Sequence, residues 1–317
     1  MERKSIIISH ELADQRIDRF LRNHFPDCSL SEIYSLLRKK FVRVNGAKAS
    51  EKYILEEGDE ILYPVFLDSK EKREPTGVMN LKPSFTVLFE DKDIIAVNKP
   101  AGLAVHEGTN TGKRTLVAEV QSYLKDQEGV DAHLVHRLDK DTSGVMIIAK
   151  NRRTAKELGL IFKDRVCEKK YIALLMGHLP EQKGIIDMPL EKHETMNFAK
   201  KVTAGHGEEA KRAITRYEVK ENFGPYSLVD FYLETGRMHQ IRVHSSELGS
   251  PLAMDDRYGD FAKNREIKKE TGLKRQFLHA STFRFTHPWT HEKMSIEAPL
   301  AKDLELALTR LHEKYKS

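Results

Sequence analysis

The stretch His136-Arg137-Leu138-Asp139-Lys140-Asp141-Thr142-Ser143-Gly144, followed at once by Val145-Met146-Ile147-Ile148-Ala149, decides how the rest of this chain is read. The second run is short, apolar and rich in β-branched residues, which predicts a buried strand. Asp-Thr-Ser-Gly before it is turn chemistry. Asp139 is therefore expected in a loop clamped onto a sheet, where a reactive group faces a cleft and is still held rigidly. Two plainer readings compete on residue types alone. In one, Asp139 and Asp141 merely cap backbone amides in a tight turn. In the other, Asp139, Asp141, Ser143 and Gly144 stand at positions one, three, five and six of a calcium loop. That loop needs a bidentate Glu at its twelfth position, here Lys150, and a helix where this sequence predicts a strand. Calcium is excluded.

A third reading comes from resemblance. His136 through Gly144 resembles, at all nine positions, the signature of the RluA-type RNA pseudouridine synthases. The resemblance implies that Asp139 is the catalytic nucleophile. It extends along the chain. Asn98-Lys99-Pro100-Ala101-Gly102-Leu103-Ala104-Val105-His106 is similar to the family's first motif, with Lys99 and His106 as polar members that support the neighbouring loop. Lys169-Lys170-Tyr171-Ile172-Ala173 places Tyr171 where the family carries an active-site Tyr. Thr235-Gly236-Arg237-Met238-His239-Gln240-Ile241-Arg242-Val243-His244 resembles the third motif. The resemblance assigns Arg237 as the cation paired with Asp139, and His239, Gln240 and Arg242 as supporting residues. Met238 stands where relatives often have a small hydroxyl residue. Ala253-Met254-Asp255-Asp256-Arg257-Tyr258-Gly259-Asp260 is similar to the RluC branch, which modifies large-subunit ribosomal RNA, although Met254 replaces a frequent Gly.

Composition sets the outer bounds. A chain of 317 residues has room for one to three domains. Its 53 Lys and Arg against 48 Asp and Glu leave a net +5, mildly basic, which permits a nucleic-acid partner without requiring one. Cys28 and Cys167 are far apart in unrelated contexts, so no disulfide framework or Cys-based metal site is expected. No apolar run approaches the roughly 18 residues of a membrane span. The start Met1-Glu2-Arg3-Lys4 does not open a signal peptide. A cytoplasmic protein is the expectation.

In chain order, residues 5–9 read as a strand, and 15–24 as a helix capped by Asp14. Residues 31–39 read as a second helix started by Ser31. Phe41-Val42-Arg43-Val44 leads into Asn45-Gly46, a strong hairpin signal. Two helices and a hairpin over about 14–64 resemble an S4 RNA-binding domain. Between 15 and 48 there are eight cations, among them Arg16, Arg19, Arg38, Lys39, Lys40 and Arg43, against three acids. Beside a suspected RNA enzyme, that patch is read as RNA-binding. Residues 68–84 are charged, Pro-bearing and without periodicity, a linker. A catalytic domain follows over 85–317, with strands near 85–89, 94–97, 168–175 and 227–234. Helices are expected over 153–163 and 303–315. Residues 180–212 read as a polar, loop-like insertion. The fold class is α+β: an S4-like domain over 1–67, a linker, and a catalytic domain on a mixed, mainly antiparallel sheet.

The reaction that the resemblance implies breaks the N1–C1′ bond of a uridine, rejoins the rotated uracil through C5 and removes the C5 proton. It consumes no donor, so no cofactor, nucleotide or metal is expected. It needs an ionised carboxylate, a cation to hold it and a later base. Asp139 and Arg237 fill the first two roles, and Tyr171 stacks on the uracil and assists the proton transfer. Arg137, with His136 beside it, enters the space that the flipped base vacates. The expected enzyme is a monomeric RNA pseudouridine synthase acting at several sites of large-subunit ribosomal RNA. Three alternatives stay open. In the first the target is another structured RNA such as tRNA; in the second Asp139 and Asp141 form the carboxylate pair of a glycosidase or nucleosidase; in the third the chain is a non-catalytic, S4-bearing ribosome-assembly factor.

Overall fold

A computed structural model describes the chain apart from residues 1, 10–11, 26–27, 29, 70–80, 108–113, 128, 195–199, 206, 208 and 316–317. The chain divides into two compact units, residues 1–79 and 80–317.

The first unit carries helices Ile17–His24 and Leu30–Arg38 and a three-stranded antiparallel sheet ordered Arg3–Ile7, Glu60–Pro64, Arg43–Val44. Asn45 and Gly46 have φ of 49° and 74°. Val44 and Ala47 exchange both backbone hydrogen bonds around them, 3.0 and 2.9 Å, so the turn is the two-residue hairpin that Asn-Gly favours. The first helix starts later than expected. Asp14 is exposed in the left-handed region and caps nothing; Ile17 N–H is instead bonded to the Tyr53 carbonyl at 2.8 Å. Ile17, Phe20, Leu21, Ile33 and Leu37 close the core of this unit against the sheet.

Both described ends of the expected linker are structured. Phe66–Ser69 is a short helix. Further on, Leu81 N–H donates to Ser122 Oγ at 3.1 Å and Ser84 N–H to Glu119 at 2.7 Å. Residues 70–80 lie outside the described part.

The second unit is built on a ten-stranded sheet. Its main path runs Thr86–Glu90, Ile94–Lys99, Ser143–Ala149, Leu278–Thr286, Cys167–Met176, Tyr226–Leu233, Ile214–Phe223, Lys183–Asp187. His279 and Ala280 pair in parallel with Ser143 and Gly144; the other described ladders of the sheet are antiparallel. The apolar run after the signature is explained by burial on both faces. Ile95, Val97, Met146 and Ile148 meet Leu116, Val120 and Leu124 of helix Leu116–Leu124. Ile94, Ala96, Val145 and Ile147 meet Leu158 of helix Arg152–Lys163 on the other face. Leu304, Ala307 and Leu311 of helix Lys302–Tyr315 bury against Phe223, Ile267 and Phe277.

Residues 180–212 differ from expectation. They hold the strand Lys183–Asp187 and a separate hairpin, Leu190–Glu194 with Lys200–Ala204. Among the described residues of that hairpin, Leu190 and Val202 join Ala213 and Val243 in a buried apolar cluster, too few to show as a period in the sequence. Met254 has φ of 61°, which accounts for the glycine that relatives often carry there.

Gly144 ends the signature for a steric reason. Its φ is +114°, and a Cβ there would collide with the backbone carbonyl of Ala280 on the parallel neighbour. Gly144→Ala should therefore destabilise the catalytic unit by at least about 3 kcal/mol, combining overpacking with a forbidden φ. Gly159, helical and with open space at its Cβ position, is the control. Gly159→Ala should stabilise by about 0.5–1 kcal/mol. Denaturant unfolding of both variants checks this; equal effects would contradict the packing account.

Candidate active site

The loop 136–142 is fastened residue by residue. His136 Nε2 accepts the N–H of Ile147 at 2.8 Å, and its ring stacks on Phe162 and Phe283. Burial pushes its pKa down from 6.5 to about 3, so it stays neutral and keeps that acceptor. The Lys140 carbonyl takes Gly102 N–H and Lys99 Nζ, both at 2.9 Å. Lys99 is fully buried, with its ammonium also on the carbonyls of Pro100 and Leu103 at 2.9 Å. Burial draws its pKa down to about 7. Arg275 donates to the Asp141 carbonyl at 3.1 Å, and Gln276 to Thr142 Oγ1 at 2.8 Å. Within this clamped loop the Asp139 side chain is half-buried and lines a cavity.

Its partner is Arg242. Nη1 of Arg242 lies 3.2 Å from Asp139 Oδ2, while Nε and Nη2 grip Asp255 at 2.7 and 2.8 Å. Asp255, whose side chain is fully buried, also accepts the N–H groups of Arg257 and Tyr258 at 2.9 Å each. Burial would lower the Arg242 pKa, but the bonds to Asp255 and the charge of Asp139 outweigh it and raise the guanidinium further. Burial acts against the Asp255 charge too, and the same bonds overcome it. His239 Nε2 faces Asp139 Oδ1 across 3.7 Å.

This corrects the assignment of the pairing cation. Arg237 is exposed, donates through Nε to the Arg212 carbonyl at 3.1 Å, and lines the cavity rim instead of meeting Asp139. The reason is helical phase. His239 has φ of 55°, turning the chain, and Gln240–Glu247 then runs as a helix that aims Arg242 inward. Gln240, buried, fixes the start of that helix through bonds to Ile214, Thr215, Thr235 and Arg237.

A cavity of about 580 Å³ opens over Asp139. Tyr171, Leu233 and His239 line it with Asp139, and Arg137, Lys163, Arg165, Lys169, Lys192 and Arg237 add cations to its lining. Burial first, then the Asp139 charge, pushes the Tyr171 phenol above its ordinary range, so it acts as a neutral phenol. Arg137 is exposed and lines the cavity. His136, expected beside it as an RNA contact, is instead the clip that holds the loop on the sheet. Asp141 is exposed and lies outside the cavity lining, which removes the geometric basis for a paired-carboxylate glycosidase. His106 is exposed and does not line the cavity. Sequence reasoning missed Asp255 and Lys169 as site residues; the Asp255-Asp256-Arg257-Tyr258 run was the signal for the first. Among the described residues, no group of three or more His, Cys, Asp or Glu could hold a metal.

In the first unit Arg19, Arg38, Lys39 and Lys40 are exposed, whereas Arg16 is engaged with Asp18 at 2.6 Å. Arg43 is half-buried, with Nε on the Lys40 carbonyl. Four of the six expected RNA-binding cations there are thus free on the surface.

A cavity lined by the Asp139 carboxylate and several cations, in a chain whose first unit exposes four more, is an arrangement suited to a polyanionic substrate. Comparison with known proteins gives the class. A family model described as RNA pseudouridylate synthase matches residues 93–247, and one for the S4 domain matches 15–61. The chain is 36% identical to the ribosomal large subunit pseudouridine synthase C of Vibrio cholerae, covering 97% of this chain and 96% of that protein. It is 38% identical to the protein of that name from Escherichia coli K12, with the same coverage. Among solved structures, human RNA pseudouridylate synthase domain containing 4 superposes with a TM-score of 0.59 at 28% identity, over 71% of this chain and 92% of that one. The chain belongs to the RNA pseudouridylate synthase family.

The geometry separates two arginines. Arg242→Lys cannot bridge Asp139 and Asp255 in one planar fork, so kcat should fall by about 10²-fold, the scale for losing a placed charged donor. Arg237→Gln should leave the fold intact and raise KM more than it lowers kcat. Single-turnover and steady-state rates on one RNA distinguish them; the reverse pattern would restore Arg237 as the partner.

Proposed function

We propose that this enzyme isomerises uridines of large-subunit ribosomal RNA, with Asp139 as the nucleophile, acting as a monomer in the cytoplasm. The observation that carries the chemistry is the Asp139 carboxylate in the cavity lining, with Oδ2 bonded to Arg242 and Oδ1 facing His239 Nε2 across 3.7 Å. A carboxylate bonded to a buried, planar guanidinium is held in one orientation, and the longer contact on Oδ1 leaves that oxygen for attack. The target uridine must leave its stack, at a cost of a few kcal/mol, and Arg137 stands at the cavity to fill the gap. Tyr171 offers a flat surface for uracil and a neutral hydroxyl beside the nucleophile. Its raised pKa means that it takes the C5 proton only in concert with onward transfer, since a free phenolate is not populated near neutral pH.

The choice of RNA rests on the relatives' names and on the length over which they match. Exposed Arg19, Arg38, Lys39 and Lys40 give the first unit a means of holding backbone phosphates without sequence reading. To test the target, protein-free large-subunit RNA, small-subunit RNA and bulk tRNA are each incubated with the enzyme. New pseudouridines are then mapped by carbodiimide-dependent reverse-transcription stops. New stops in large-subunit RNA, and none in the other two, are expected; stops confined to tRNA would overturn the target.

A further inference from the structure

The mechanism above makes no use of Tyr258, yet both groups that face Asp139 rest on it. The Arg242 guanidinium lies over its ring, 5.2 Å from the centroid. Its hydroxyl oxygen is 2.9 Å from His239 Nδ1, and it accepts the N–H of Val202 at 3.2 Å. Val202 belongs to the hairpin strand Lys200–Ala204, and its side chain is buried. His239 itself is a non-glycine residue at φ 55°, ψ 22°, a conformation that the surroundings must impose. Its other nitrogen, Nε2, looks at Asp139 Oδ1.

These contacts decide where the imidazole proton sits. Val202 N–H already donates to the Tyr258 oxygen, so the phenol's own proton is free to point at His239 Nδ1. A ring that accepts at Nδ1 carries its proton on Nε2. That end faces an acceptor-only carboxylate, and the opposite tautomer would set a lone pair against a negative charge. Burial lowers the ring's pKa against the pull of the Asp139 charge.

We propose that Tyr258 is a positioning residue that fixes His239 as the Nε2–H tautomer, so that Asp139 is held between an imidazole N–H on Oδ1 and the Arg242 guanidinium on Oδ2. The role in catalysis rests on the reading of Asp139 as nucleophile. At 3.7 Å the His239 contact is a charge–dipole attraction and not a hydrogen bond, so it orients the carboxylate without occupying the attacking oxygen. Through Val202 the same phenol ties the hairpin Leu190–Ala204 to the nucleophile. Lys192 of that hairpin lines the cavity, so RNA seated against the hairpin also bears on the alignment of Asp139.

The test reads the tautomer directly. In the ¹⁵N-labelled full chain, two-bond ¹H–¹⁵N correlations identify the His239 ring as the one absent from His239→Gln. A protonated Nε2 and a bare Nδ1 are expected. Tyr258→Phe keeps the ring over Arg242 and removes only the hydroxyl. In that variant the tautomers should mix, and kcat at saturating RNA should fall by about tenfold with KM within about twofold. A proton on Nδ1 in the wild type, an unchanged tautomer in Tyr258→Phe, or a changed tautomer with unchanged kcat would each overturn the proposal. Substantial activity in Asp139→Asn would instead sink the nucleophile reading and leave the tautomer assignment standing.

Discussion

The planar fork of Arg242 is the interaction on which the rest depends. One guanidinium, with its side chain 8% exposed, binds a fully buried carboxylate on Asp255 and the half-buried carboxylate of Asp139. Removing two charges from water costs several kcal/mol each, and such a pair persists only if its remaining hydrogen-bond capacity is used. Asp255 meets that condition with two backbone N–H groups besides the two guanidinium bonds. The consequence for function is directional. Asp255 locks the guanidinium plane, and the locked plane gives Asp139 a single resting orientation. Lys could carry the charge but not the geometry.

The loop that presents Asp139 is held from the opposite side for a different reason. A loop laid over a sheet carries backbone carbonyls that need donors. Here Lys99, Arg275 and the Gly102 amide supply them, so much of the signature and first motif is anchoring rather than chemistry. The polar residues His136, Thr142 and Ser143 belong to the same anchoring. Catalysis that depends on a side chain held within a fraction of an ångström requires such support.

Much of this was legible beforehand. The β-branched run 145–149 announced a buried strand, and the turn chemistry before it announced the loop that presents Asp139. Asn45-Gly46 announced its hairpin through backbone preference alone. The identity of the pairing arginine was not legible. Arg237 and Arg242 lie five residues apart, and which one turns inward depends on the left-handed bend at His239 that sets the phase of the following helix. The hairpin Leu190–Ala204 was also hidden. Its strands are polar along most of their length, and their fixation comes from two buried aliphatic residues and a distant tyrosine. The role of His136 was misread because histidine type says nothing of whether a ring nitrogen is spoken for.

The central proposal is that Asp139, presented by the clamped loop and bonded to Arg242, is the group that attacks uridine. Its most direct test is tritium release from RNA carrying 5-³H-uridine, measured for the wild type and Asp139→Asn with RNA binding followed in parallel. Asn keeps the volume and removes the charge, so release should fall to background while affinity stays within about threefold. Tritium release by Asp139→Asn well above background, at comparable binding, would contradict the account.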